Sequence, residues 1–77
     1  MTKTEFLNHL DELLELDAGI LDGSEILANL PQWDSLALMG FIALVDRHAG
    51  IILQPRKLVE CRTVNELAAL LGDKISG

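Results

Sequence analysis

Seventy-seven residues fit one domain of modest core and leave no room for a second folded unit. A single cysteine, Cys61, excludes an internal disulfide, and the His and Cys residues show no metal-ligand spacing, so helix packing has to supply the stability. The formal charge of −6 speaks against a nucleic-acid partner, because a phosphate backbone demands a basic face.

The charge is unevenly placed. Residues 1–30 carry seven acids against Lys3 alone, while residues 31–77 are neutral, so the acidity belongs to the first helix and the loop after it and reads as a solvated face. Thr2 to Leu16 mixes Lys, Glu, His and Asp among its leucines, unlike a secretory signal. The longest apolar run, Leu36 to Val45, has ten residues. A bilayer span needs roughly 20. A cytoplasmic monomer without membrane insertion is the expectation.

In chain order, Thr2 and Glu5 form a Thr-x-x-Glu capping box, and Phe6, Leu7, Leu10, Leu13 and Leu14 follow at helical spacing, predicting a helix over about 3–16. Asp17, Gly19, Asp22, Gly23, Asn29 and Pro31 then punctuate a long connection. Its Ile20, Leu21, Ile26, Leu27 and Leu30 are too apolar for a free linker, which predicts that it lies across the helices and helps cover the core. Asp34 or Ser35 caps a second helix over about 35–49, ended by Gly50. Ile51 to Leu53 reads as a short extended run without a strand partner. Pro55 opens a brief third helix over about 55–60. Thr63 and Glu66 repeat the capping box before a last helix over about 63–72, with Gly72 at its end. The expected fold is all-α: a small four-helix bundle of three principal helices and one short third helix, with a long loop between helices 1 and 2, forming a single domain over 1–77.

The second helix is apolar all round from Leu36 to Val45, although a surface helix in a small bundle buries one stripe. Leu38, Phe41, Ile42 and Val45 fit a core stripe, and Leu36, Met39, Gly40, Ala43 and Arg47 fit a second, which is either covered by neighbouring elements or free for docking. Gly40 costs roughly 1 kcal/mol against alanine inside a helix, so a neighbouring helix or an external partner is expected close to its backbone.

Pro31-Gln32-Trp33-Asp34-Ser35-Leu36 at the start of the second of four helices, together with Gly50-Ile51-Ile52-Leu53-Gln54-Pro55 and Cys61-Arg62-Thr63-Val64, resembles the acyl and peptidyl carrier protein family over nearly the whole chain. The resemblance implies a stand-alone, non-catalytic carrier. In it Ser35 would be modified by a phosphopantetheinyl transferase with 4'-phosphopantetheine from coenzyme A, and Asp34 would assist the modification. The arm's thiol would hold cargo as a thioester for acyl- or aminoacyl-loading and processing enzymes of fatty acid, polyketide or nonribosomal peptide biosynthesis. A serine at a helix N-terminus suits this, since the free N–H groups and the helix dipole favour an attached phosphate. A plain N-cap is the competing reading of Ser35.

The chain also departs from the family. Carriers of bacterial fatty acid synthesis usually show several acids along the second helix. Here only Asp46 remains, with Gly40 and Arg47 at places where acids are common, and Arg56 and Lys57 add positive charge to the third helix. Partner binding is therefore expected to rest on Leu36, Met39, Gly40 and Ala43, flanked by Arg47, Arg56 and Lys57. Ala49 stands where a large aromatic is frequent, and Phe41 or Trp33 is expected to fill the volume. His9 and His48 have no sequence context that pairs either with Cys61 as a base. His9 is expected to face solvent, His48 to sit well at the negative end of the second helix, and Cys61 to be a packed thiol. Trp33 is expected to brace the loop that presents Ser35. Two other classes remain: an unmodified helical interaction module docking through the second helix, and a pocket protein sequestering a free lipid.

Overall fold

A computed structural model describes residues 1–76. Among the described residues there are four α-helices: α1 (Lys3–Leu13), α2 (Ser35–Ala49), α3 (Pro55–Val59) and α4 (Val64–Ala69). Short 3-10 turns at Leu27–Asn29 and Gly72–Lys74 add to them. Among the described residues there is no strand, only isolated bridges joining Thr2 to Ser76 and Ile26 to Thr63. Ile51 to Leu53 is irregular.

Local chemistry starts each principal helix. Thr2 and Glu5 close a reciprocal capping box at α1, and Thr63 and Glu66 close another at α4, each satisfying two N–H groups that a helix start leaves unpaired. Gly50 ends α2 in the left-handed region at φ 68°. The other ends are earlier than the apolar periodicity predicts. α1 stops at Leu13 because Glu15 turns left-handed at φ 59°, and α4 stops at Ala69 before passing into the Gly72–Lys74 turn.

α2 lies between α1 and α3. Phe6, Leu10 and Leu14 from the first segment meet Phe41 and Val45 of α2, Leu58 of α3, and Val64, Leu67 and Leu71 in one apolar core. Phe6 contacts Phe41 edge-on at 5.9 Å, and Trp33 contacts the same ring at 5.9 Å. Ala49 is half-buried and packs against the edge of this core. Buried Ala37 replaces the expected Leu38 and Ile42 at the centre of α2's core stripe; those two are half-buried at its margin.

The long connection is structured by hydrogen bonds. Asp11, 1% exposed, accepts from Gly19 N–H at 3.0 Å through Oδ2 and from Leu21 N–H at 3.2 Å through Oδ1. Further on, Leu27 N–H donates to the Arg62 carbonyl at 2.8 Å, and Asn65 N–H donates to the Gly23 carbonyl at 2.8 Å, pinning the connection to the start of α4. Leu21 and Leu27 are buried and Leu30 half-buried as expected, whereas Ile20 and Ile26 are exposed.

Candidate functional site

Asp34 is the N-cap of α2. Its backbone is extended, Oδ1 accepts from Ala37 N–H at 2.9 Å, and its carbonyl accepts from Leu38 N–H at 2.9 Å. Ser35 is the first helical residue and is exposed. The choice between Asp34 and Ser35 as cap is thereby resolved in favour of Asp34, and the Ser35 hydroxyl is not spent on capping. A helix's first N–H groups have no carbonyl acceptor inside the helix. With Ala37 and Leu38 satisfied by Asp34, those of Ser35 and Leu36 stand at the positive end of a 15-residue helix, next to a free hydroxyl. That donor set fits a phosphodiester on Ser35 Oγ.

The loop that presents this end is braced from inside. The Trp33 ring is half-buried against Phe41, and Trp33 N–H donates to the Leu30 carbonyl at 3.0 Å. Asp34 N–H donates to the Gln32 carbonyl at 3.1 Å, so the turn into α2 is held on both sides of the indole.

Leu36, Met39, Gly40, Ala43 and Arg47 lie together along one side of α2, where they wall an open groove against α1. The end near Ser35, about 620 Å³, is lined by Asp34, Leu36, Met39 and, across it, Leu13 and Leu14. The far end, about 600 Å³, is lined by Ala43, Arg47 and His48 against His9 and Glu12. Leu13, Glu15 and Gly40 border both ends, and Leu13, which rests on Gly40, stands between them. Leu36 is 81% and Met39 57% exposed, while Gly40 is half-buried beneath Leu13. The element expected close to Gly40 is thus α1 of this chain. Arg56 and Lys57 are exposed on α3 and do not line the groove.

His9 corrects the sequence expectation. It is half-buried and stacks on His48 with ring centroids 4.3 Å apart and planes 28° apart, joining α1 to α2 at the far end of the groove. No local pattern announces a pair separated by most of two helices. Cys61 is half-buried, its Sγ donates to the Lys57 carbonyl at 3.4 Å, and burial, followed by the charges of Glu66 and Glu60, pushes its thiol up. Such a thiol is a poor nucleophile. Among the described residues no group of three or more His, Cys, Asp or Glu side chains could hold a metal ion, and no helix is long and apolar enough to cross a membrane.

Residues 5–71 match the family model described as the phosphopantetheine attachment site, a span running from the first turn of α1 to the end of the core. Comparison with curated proteins and with solved structures gives no match.

Proposed function

The chain belongs to the phosphopantetheine attachment family, and from that premise we propose that Ser35 carries the arm and holds acyl, aminoacyl or peptidyl intermediates as thioesters for biosynthetic enzymes acting in trans. Carrier domains of this family are non-catalytic and bind 4'-phosphopantetheine covalently. The arm's terminal thiol supplies the thioester chemistry when it is bound.

The division of labour between Asp34 and Ser35 is the observation that carries this reading. A carboxylate caps the helix, so an exposed hydroxyl is free at the first helical position. In the modification, Ser35 Oγ forms a bond to the phosphorus that bears the pantetheine of coenzyme A. The bond from that phosphorus to the adenosine bisphosphate half breaks, and the hydroxyl proton passes to a base on the transferase. Asp34 stays exposed beside the new phosphodiester, where water screens the like charges.

The partner surface in this reading joins Leu36, Met39 and Ala43 of α2 to Arg47, Arg56 and Lys57, all exposed. Gly40 contributes by letting Leu13 close against α2. The protein acts as a cytoplasmic monomer, a placement supported by coenzyme A as donor and an acidic surface. Co-expression with a broad phosphopantetheinyl transferase tests the assignment by intact mass. Wild type gains one phosphopantetheine and Ser35→Ala gains none; equal gain in both, or none in wild type, overturns it.

A further inference from the structure

The groove between α1 and α2 starts beside the attachment residue. Asp34 and Leu36, which flank Ser35, line its near end, and Arg47 and His48 line its far end. Helical rise places Arg47 about 18 Å along α2 from Ser35. A phosphopantetheine arm has about 14 bonds between the serine oxygen and its sulfur, and at the advance per bond of an extended backbone it reaches about 17 Å. Path and arm agree in length.

They agree in chemistry as well. The geminal methyl groups beside the phosphate would meet Leu36, Met39 and Leu13, the apolar stretch. The sulfur would arrive among Glu12, Arg47 and the stacked imidazoles of His9 and His48. The interior is filled in this structure: Phe41 is 0% exposed and stands between Phe6 and Trp33, and Val45 is 0% exposed. Tethering at Ser35 also raises the arm's effective concentration at the groove to the millimolar range or above, on the order of what weak contacts need.

We infer, on the reading that Ser35 bears the arm, that the resting arm lies along the α1–α2 face, passing over Leu13 from the recess near Ser35 to the one at Arg47. It presents its thioester to the Glu12, Arg47 and His9–His48 cluster, so that the cargo head is a polar acyl or aminoacyl group at the surface and not an alkyl chain inside the bundle. Leu36 and Met39 then serve two occupants in turn, the arm at rest and a partner enzyme that displaces it.

Isotope-labelled pantetheine, installed by a broad transferase and shown complete by intact mass, makes the seat visible in filtered NOE spectra. Contacts are expected from the geminal methyls to the Leu13 and Met39 methyls, and from the methylenes next to sulfur to the Ala43 methyl and the His48 ring. In Ala43→Phe, brought to full loading as shown by intact mass, the contact to the His48 ring disappears and the proximal ones persist. A fully loaded protein whose arm touches Leu58 and Val64 instead, or touches no protein proton, overturns the groove seat while leaving attachment at Ser35 intact. A wild type that gains no arm overturns the attachment itself, and the seat with it.

Discussion

Leu13 rests directly on the backbone of Gly40: a Cβ built on Gly40 would lie 2.8 Å from Leu13 Cδ1. Alanine there gains roughly 1 kcal/mol of helix propensity. The methyl it must displace is the end of a half-buried side chain bordering an open groove. The two effects oppose each other, so Gly40→Ala should unfold in urea within about 1 kcal/mol of wild type. Gly40→Val adds bulk that the contact cannot absorb and should cost about 1–3 kcal/mol. Equal stability of wild type and Gly40→Val would mean that α1 does not lie against α2 at this point.

The buried Asp11 carboxylate holds the loop after α1 through the Gly19 and Leu21 amides. Asp11→Ala leaves both N–H groups without that acceptor and should lose about 1–3 kcal/mol, the cost of leaving the buried Leu21 donor unsatisfied, since Gly19 is exposed and its N–H can turn to water. Asp11→Asn keeps one acceptor oxygen and should lose less. Chemical denaturation gives the totals, and faster amide exchange at Gly19 and Leu21 in Asp11→Ala localises the loss to the loop.

Two exposed carboxylates tie stability to acid. Thr2 N–H, donating to Glu5 Oε1 at 2.8 Å, and then the Thr2 side chain hold Glu5 below its ordinary value. The Ser24 hydroxyl at 2.6 Å and Ser24 N–H at 2.8 Å do the same for Asp22. A pKa lower in the folded than in the unfolded state gives stability that is full above the unfolded value and lost as pH falls through the folded one. The thermal midpoint of wild type should therefore decline as pH drops through and below the ordinary carboxylate range. Glu5→Gln, which has no charge to lose, and Ser24→Ala should each show a shallower decline; an unchanged slope in both would remove these contacts as its source.

Features encoded within about four consecutive residues are legible in the sequence. Both Thr-x-x-Glu boxes close as read, Gly50 ends α2, and the Asp34-Ser35 step marks the candidate site. What depends on distant partners is not legible there. Asp11 falls on α1 where acidity suggests solvent, and only the return of the Gly19 and Leu21 amides makes its burial favourable. His9 meets His48 because α1 and α2 pack side by side. α1 ends short of its apolar spacing because Leu14 and Leu16 continue that spacing while the backbone turns at Glu15, a residue that gives no sign of a left-handed φ. Leu36, Met39, Ala43 and Arg47 do share a face as the spacing predicts, but that this face borders α1 follows from which way Phe41 and Val45 point.

Capping falls on Asp34 and the proposed attachment on Ser35, so the two can be separated. The Ser35 hydroxyl has no capping role, and Ser35→Ala should keep wild-type stability within about 0.5 kcal/mol. Asp34→Ala removes the acceptor for Ala37 N–H and should cost about 1 kcal/mol in denaturant. Asp34→Ser restores a capping oxygen without the charge, so it should recover most of that stability. If the Asp34 carboxylate also helps place Ser35 on the transferase, Asp34→Ser should still load phosphopantetheine more slowly, by about tenfold for the loss of one charge-assisted contact worth about 1.5 kcal/mol. Stability comes from urea titration and loading from initial rates by intact mass. A stable Asp34→Ser variant that loads at the wild-type rate would leave Asp34 a helix cap alone.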